Sequence, residues 1–359
     1  MTAGEVTQPK PQGFRIQDLP GKIWSNYVLR RIVRALVIIW LITTIIFFVI
    51  RLMPGNAFDL MVADMVVNRN MTEDEAKIRA SSLLRINFNR PIGEQYLEYM
   101  SNLAKGDLGY SFINNNRTVQ ELLAQKLPWT LFSVGTSLMI SFTLGMLLGM
   151  IAAYKRGSWL DHLITNFAAA MDAIPQYIYA IVLVLLLGVI WKIMPVMDMK
   201  GVLSPGIKPG FTFEFIWDAL MHLRVPAFVY VLSTVGNWAL SMKSSTLSTL
   251  GEDYVTVARA RGLSDSRIIT SYVGRNASLP LVTALALSVG FALGGSVVIE
   301  SVFNYPGIGL ELSKSLSNRD YPMLQGIFLI TTTSVIFTNL IADLIYGWLD
   351  PRIRIAGGE

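Results

Sequence analysis

Three carboxylates lie in apolar stretches of the chain, where a charged group has few partners. They are Asp172, Glu300 and Asp343. Insertion of a carboxylate near the centre of a bilayer costs about 2.5–3.5 kcal/mol on insertion scales, so an acidic residue there is expected to have a structural or functional role. One interpretation is a polar pathway or a moving salt bridge. The other is a structural pair or a contact with interfacial water, and the sequence identifies no partner that decides between them.

Enzymatic chemistry has little support in this sequence. The chain has no Cys and only two His, His162 and His222, which excludes thiol catalysis, disulfides, thiolate metal sites and a His-rich metal cage. The sequence lacks a Gly-x-x-x-x-Gly-Lys-Ser/Thr phosphate loop. An intramembrane hydrolase is disfavoured because neither a metal-binding His pair nor a nucleophile–base arrangement is recognisable. We therefore expect no catalytic, cofactor-binding or metal-binding residues in this chain.

The composition is typical of a membrane protein. Hydrophobic residues make up 52% of the 359 residues and charged residues 15%, against about 25% in soluble domains. The mean hydropathy is +0.47, and a net charge of +5 is too small for a disordered chain. The pI near 9.3 could indicate nucleic-acid binding, but the placement of the basic residues indicates membrane orientation instead. We therefore expect the chain to lie in a lipid bilayer and not to bind nucleic acid.

Six apolar segments approach the roughly 20 residues that a helix needs to cross the hydrocarbon core. The sequence thus predicts an all-α membrane protein with six transmembrane helices. Ser233, Thr234 and Asn237 dilute the fourth segment, which is the weakest. The predicted spans are 32–50, 129–154, 166–190, 225–242, 281–303 and 324–349. The predicted parts of the chain are a tail 1–27, the first span with its flanks 28–53, an external helical subdomain 54–127, a five-helix core 128–349 that includes the loop 243–280, and a tail 350–359.

Basic residues in the short loops predict the orientation of these spans. With six spans, four basic clusters fall on one side, which the positive-inside rule makes cytoplasmic, and both termini lie there too. The clusters are Arg30, Arg31 and Arg34; Lys155 and Arg156; Lys243, Arg259, Arg261, Arg267 and Arg275; and Arg352 and Arg354. No small-residue cleavage pattern follows the first span, so we interpret it as an uncleaved anchor. Residues 13–24 either lie on the inner membrane surface or form a disordered tail.

The segment between the first two spans is too long for a simple turn. Thr72 and Glu75 form a capping-box pattern that opens a helix. Residues 92–103 are a second candidate helix, and residues 118–127 are a third, which Pro128 is expected to end. We interpret this segment as a small external subdomain that shields a pathway or meets a partner. The alternative is a passive structured loop.

The loop between the fourth and fifth spans carries a distinctive helical pattern. Acids at its start and arginines at its end complement the dipole of a helix. Gly262 can end that helix, and Ser264 can begin the next. Small apolar residues make the first helix narrow, so it fits a cleft in another protein, although packing on its own bundle suits the periodicity equally well. The candidate site residues are Glu252, Asp253, Tyr254, Ala258, Arg259, Arg261, Gly262 and Leu263.

This loop resembles the cytoplasmic motif of ABC-importer permeases, in the form used by the dipeptide, oligopeptide and nickel family. The wider motif begins Glu-Ala-Ala, where this chain has Thr256-Val257-Ala258, so the role of that Glu stays unassigned. The matching runs in the loop are 253–255, 258–263, 275–277 and 279–280. Further runs that resemble the family, in the same order along the chain, are 27–31, 51–55, 95–97, 106–112, 172–175, 300–309 and 319–322. The pattern is similar to the first of two unlike permeases in a heteromeric importer.

The resemblance implies a type I ABC importer permease fold and a mechanism. Two homologous permeases would form the pathway, two cytoplasmic ATPases would bind ATP and Mg and drive alternating access, and an extracytoplasmic solute-binding protein would deliver cargo. The helix at 252–262 would dock into an ATPase cleft. The implied location is a bacterial or archaeal cytoplasmic (inner) membrane. Peptide is favoured as cargo over nickel complexes or oligosaccharides, and a carrier driven by an ion gradient is the alternative that the docking motif does not fit.

The predicted orientation can be tested in this Cys-free chain. A Ser264→Cys variant should react with a membrane-impermeant thiol reagent only when the cytoplasmic side is open to it, because Ser264 lies in the loop predicted to face the cytoplasm. Labelling is measured in intact cells and in inverted vesicles. Labelling of Ser264→Cys from outside intact cells would invert the topology.

Overall fold

The described part of the chain is mostly helical. In a computed structural model the described residues are 27–52, 57–84, 90–114 and 117–349, and within these ranges the secondary structure is helical apart from one isolated bridge between Tyr110 and Thr118. The predicted tails, up to 26 and from 350, lie outside them. The helices are α1 Tyr27–Arg51, α2 Ala57–Arg69, α3 Glu73–Leu84, α4 Ile92–Ala104, α5 Val119–Tyr154, α6 Trp159–Ala173, α7 Gln176–Ile190, α8 Phe213–Leu250, α9 Asp253–Ala260, α10 (Asp265–Arg267, Ile268–Gly274 and Arg275–Ala292 in continuous succession), α11 Val297–Val302, α12 Ile308–Ser317 and α13 Tyr321–Leu349.

Four of these helices, α1, α5, α8 and α13, are long and apolar enough to cross a membrane. The helices α6 and α7 together form a fifth candidate span, which bends by 91° at the break before Pro175. Proline lacks the backbone N–H and disfavours a helical conformation at the residue before it, so a break at this position follows from the sequence. The first four predicted spans and the sixth therefore have counterparts among the described helices.

The predicted fifth span is interrupted in the structure. Residues 281–303 were expected to form one helix, but α10 ends at Ala292 and the short helix α11 begins only at Val297. Gly294 and Gly295 lie in the break, and Gly295 has a φ of +78°, which a helix cannot contain. Because residues 281–303 are predominantly apolar, composition alone did not indicate the turn between α10 and the short helix α11.

The expected end of a helix at Pro128 was wrong. The helix α5 runs from Val119 through Pro128 to Tyr154, so the predicted boundary between the external subdomain and the core falls inside one helix. A π-helical stretch follows at Leu131–Gly135, where the Ser133 hydroxyl donates to the carbonyl of Thr130 at 3.3 Å. Local π adjustments and hydroxyl side chains let membrane helices continue past a proline. At about 1.5 Å per residue, a helix of 36 residues is longer than a bilayer core is thick.

The helix α8 is the centre of the bundle and packs against α5, α6, α7 and α10. Its approach to α5 depends on two glycines. A β-carbon on Gly145 would collide with Trp238 of α8, and one on Gly149 with the carbonyl oxygen of Ala239. The two residues form a Gly-x-x-x-Gly motif, and only a residue without a side chain permits such an approach.

Within the described residues, the segment between α1 and α5 contains the helices α2, α3 and α4, of which α3 and α4 were predicted and α2 was not. The capping box at the start of α3 is present, since the Glu75 carboxylate accepts from the Thr72 backbone N–H at 3.2 Å and the Thr72 hydroxyl accepts from the Glu75 N–H at 3.4 Å. The helix α4 packs on α1 through Tyr96 and Tyr99, whose rings lie 5.3 and 5.4 Å from the ring of Phe47. These contacts fix α4 against the last turns of the first span.

A buried carboxylate joins this segment to the last span. Asp320, which is fully buried, precedes α13 and accepts hydrogen bonds from the Ser111 hydroxyl at 2.5 Å and from the backbone N–H groups of Ile113 and Met323, both at 3.3 Å. Burial raises the pKa of Asp320, and the hydrogen bonds that its carboxylate accepts oppose that rise. The loop before α5 is thereby held at the N-terminus of α13.

Candidate functional site

The helix α9 is fixed to the bundle by its inner face. Val255 and Ala258, which are 0% and 2% exposed, belong to one apolar cluster with side chains from three longer helices. Spacing of three residues puts both on the same face of α9. The other members of the cluster include Leu138 and Phe142 of α5, Trp238 and Met242 of α8, and Ile268, Val273 and Ala277 of α10. The helix α9 packs directly on the start of α10, at Ile268–Gly274, and this shared cluster connects it with α5 and α8.

The outer face of α9 combines apolar and charged groups. Val257 is 55% exposed and Tyr254 38% exposed, and both stand beside charged side chains at the two helix ends. The hydroxyl of Tyr254 accepts a hydrogen bond from the Asn276 side chain of α10 at 2.9 Å, which fixes the ring. The exposed charged residues are Glu252 and Asp253 at the N-terminus and Arg259 and Arg261 at the C-terminus. The outer face of α9 thus has a small apolar centre and oppositely charged ends.

The end of α9 is a complete Schellman motif. The N–H of Leu263 donates to the carbonyl of Ala258 at 3.3 Å, and the N–H of Gly262 donates to that of Arg259 at 2.9 Å. Gly262 has a φ of +74°, a conformation that side-chain-bearing residues adopt only with strain. Leu263 packs against the apolar cluster beneath the helix. The eight predicted loop residues thus form one local unit, and the predicted helix and its stop are confirmed.

The three predicted intramembrane acids are not brought together. Asp172 lies at the end of α6, beside Gly236 of α8. Its carboxylate is exposed and makes no hydrogen bond or ion pair within the described part of the chain. Asp343 lies in α13, but its side chain is outside the described residues. Of the three, Asp172 alone is shown with a carboxylate accessible to a ligand.

Glu300 is an internal anchor in this structure. Its side chain is fully buried in α11, where Oε1 accepts from the Thr130 hydroxyl at 2.9 Å and Oε2 accepts from the Leu310 N–H at 3.1 Å. Thr130 in turn accepts from the N–H of Ile308 at 2.8 Å. The carboxylate and Thr130 therefore satisfy free N–H groups in the first turn of α12, where a negative charge is favourable. A pathway role for Glu300 would require this arrangement to open.

The sequence reasoning missed a polar contact between the two helix breaks. Gln176, the first residue of α7, donates from Nε2 to the Ser233 hydroxyl of α8 at 3.1 Å and accepts at Oε1 from Ser296, before α11, at 3.2 Å. It therefore connects the break before Pro175 with the break before Val297. A Gln directly after a helix-breaking proline was the available signal. Interrupted helices in transporters characteristically occur where backbone and side chains line a site.

Two family models match almost the whole chain. Residues 145–355 match the model described as binding-protein-dependent transport system inner membrane component. Residues 25–134 match the model of the N-terminal part of the same kind of membrane component. The chain belongs to this permease family. The family places the permease in the inner membrane as a multi-pass protein of the type I ABC importer fold, and membership implies ATPase and substrate-binding partners.

Relatives of the permease are similar to it over nearly their full length. It is 34% identical to the di/tripeptide transport system permease protein DppB of Pseudomonas aeruginosa over 342 residues, which is 92% of this chain and 98% of the relative. It is 33% identical to the dipeptide transport system permease protein DppB of Escherichia coli over 343 residues, with the same coverage. The oligopeptide transport system permease protein AppB of Bacillus subtilis is 30% identical over 330 residues, 92% of this chain and 99% of the relative.

The anchor role of Glu300 can be tested with Glu300→Gln. The Thr130 hydroxyl and the Leu310 N–H both donate to the Glu300 carboxylate, and the side-chain amide of Gln would place its NH₂ group against one of them. The variant should therefore lose about 1–3 kcal/mol of stability and unfold at a lower temperature in detergent. The matched control is Glu98→Gln on the exposed face of α4, which should change stability by less than about 0.5 kcal/mol. If Glu300→Gln unfolds at the wild-type temperature but abolishes transport, the pathway interpretation is correct and the anchor role is not.

Proposed function

We propose that this permease carries peptides through a binding-protein-dependent, ATP-driven importer. The observation that carries the cargo proposal is the 33–34% identity, over 92% of this chain, to relatives named as dipeptide and di/tripeptide permeases. The chain contributes half of the translocation pathway, and a second homologous permease contributes the other half. An extracytoplasmic solute-binding protein delivers the peptide. The chain has no catalytic site, and ATP and Mg bind in two cytoplasmic ATPase subunits.

The docking site proposed for an ATPase is the outer face of α9 with its C-terminal turn. Its exposed centre, Val257 and Tyr254, is small enough for a cleft, and the charged ends give the contact a direction. Its inner face packs on α10 and belongs to one apolar cluster with side chains of α5 and α8, so closure of the cleft would be transmitted to the spans. Gly149 of α5 lies beside Met242 and Lys243 of α8, so both helices end towards the side on which α9 follows α8. We place this end of the bundle, and both termini, in the cytoplasm, in agreement with the basic clusters.

The pathway residue proposed from the geometry is Asp172. Its carboxylate is exposed next to the break between α6 and α7, and the contact from Gln176 to Ser296 lies at the same break. A carboxylate in this position can attract the cationic amino group of a peptide. Glu300 is fully buried and contributes to the fold near this region, while Asp343 is kept as a candidate from its place in α13.

The cargo proposal is tested by reconstitution. The permease, its co-purified second permease, ATPases and binding protein are placed in proteoliposomes, and uptake of radiolabelled di- to hexapeptides is measured with and without ATP. ATP-dependent uptake of peptides, and none of nickel complexes or oligosaccharides, is expected. ATP-dependent uptake of nickel or an oligosaccharide without peptide uptake would contradict the peptide assignment. Uptake that persists without the ATPases would contradict the mechanism.

The docking role of α9 is tested with Gly262→Arg. A long charged side chain in a left-handed position should distort the turn, and coupled uptake should fall at least tenfold while the assembly still hydrolyses ATP. The control is Gly262→Asn, because Asn tolerates the left-handed conformation and should retain most uptake. The ratio of peptide transported to ATP hydrolysed is the measurement. An unchanged ratio in Gly262→Arg would show that α9 does not couple the ATPase to the spans.

A further inference from the structure

The strongest unassigned feature is an ion pair between α6 and α8. The ammonium Nζ of Lys243 lies 2.6 Å from the carboxylate Oδ1 of Asp161, and the two side chains are only 19% and 7% exposed. Among the described residues, the Arg90–Glu98 pair is more than half exposed on both sides, and the similarly shielded pair of Lys126 with Glu311 is longer, at 3.9 Å. A shielded pair of this kind is costly to break, because one uncompensated charge then stays buried.

The pair is supported on both sides. The hydroxyl of Thr165, one turn further along α6, accepts from Lys243 at 2.8 Å and donates to the Asp161 carboxylate at 3.1 Å. The second carboxylate oxygen accepts from the Gly157 N–H at 3.0 Å. The Asp161 N–H donates in turn to the hydroxyl of Ser158, the N-cap of α6, at 3.3 Å. The carboxylate is thus locked to the first turn of α6, and the lysine has little freedom to choose another partner.

Lys243 lies in the last turns of α8, shortly before α9, so the pair is close in sequence to the proposed docking helix. Lys243 lies two turns before the end of α8 at Leu250, and α9 follows after two residues. The same part of α8 is bound to α5 at Gly149 and to α10, where the Ser245 hydroxyl donates to the carbonyl of Ala277 at 2.7 Å. Asp161 opens α6, the first half of the broken span that carries Asp172. The ion pair therefore connects the last turns of α8, which precede α9, with the start of the broken span, and the neutral hydrogen bond from Gln176 to Ser233 joins α8 to the second half of that span.

We propose that Asp161 and Lys243 are positioning residues that transmit the movement of α9 to the broken span during transport. The pair acts as a strut that stays closed through the cycle, so that α6 moves with the end of α8. This inference rests on the proposed function, in which α9 receives force from an ATPase. It adds that the force reaches the break before Pro175 through one ion pair and not through apolar packing alone.

The test separates transmission from simple stabilisation. In the reconstituted assembly, Asp161→Asn combined with Lys243→Met leaves no unpaired buried charge, so the chain should fold and the assembly should hydrolyse ATP within twofold of wild type. Peptide transported per ATP hydrolysed should fall at least tenfold. Exchange of the two residues, Asp161→Lys with Lys243→Asp, should recover part of that ratio. The control Arg90→Met, which breaks an exposed pair, should leave it unchanged.

A second experiment covers the case in which charge variants fold poorly. The chain has no Cys, so Asp161→Cys with Lys243→Cys can be joined by a thiol cross-linker about as long as the lysine side chain. If the pair acts as a strut, cross-linking should raise the amount of peptide transported per ATP hydrolysed by this variant towards the wild-type value. Loss of remaining uptake on cross-linking, or a wild-type ratio in the neutral double variant, would overturn the inference. Absence of peptide uptake by the wild-type assembly would instead overturn the proposed function.

Discussion

The contact of helix backbones around α8 is the constraint on which the rest of the structure depends. Lipid is as apolar as a leucine side chain, so helices in a bilayer gain little from burying apolar surface and depend on close packing instead. Gly145 and Gly149 supply that packing on α5, and Gly236 supplies it on α8, where a β-carbon would collide with the carbonyl of Ala168 in α6. Because three helices meet at backbone distance, side chains cannot absorb a sideways shift of α8 at these glycines.

Close approach also explains why several polar groups between the helices pair with one another. With backbones in contact there is little room for water, so a buried polar group is stabilised by a partner within the protein. The hydroxyls of Ser141 and Thr234 lie 2.7 Å apart between α5 and α8. Glu300 shows the same principle at the start of α12, because its carboxylate accepts a hydrogen bond from the first turn that water would otherwise accept. These groups specify one arrangement of the helices, whereas apolar faces alone would allow several.

The sequence predicted those features that depend on local chemistry. The helix at α9 with its stop at Gly262 and the capping box at Thr72 each follow from residues that are neighbours in the chain. It failed where the outcome depends on distant residues. The continuation of α5 past Pro128 depends on a π-helical stretch, and the end of α10 was hidden because 281–303 is apolar throughout. Neither the partner of Lys243 nor that of Glu300 was predictable, since 82 and 170 residues separate them from Asp161 and Thr130.

The two helix breaks show where such a bundle can change shape. A continuous helix transmits displacement along its axis, whereas an interruption lets its two halves move separately. The breaks at Pro175 and before Val297 meet at Gln176, whose amide contacts Ser233 and Ser296 at 3.1 and 3.2 Å. Hydrogen bonds between neutral side chains are weaker than a shielded ion pair and exchange partners more readily. The bundle is therefore stiff near α9, where Lys243 binds Asp161, and adaptable at the breaks, which is the distribution of rigidity that a relay of movement requires.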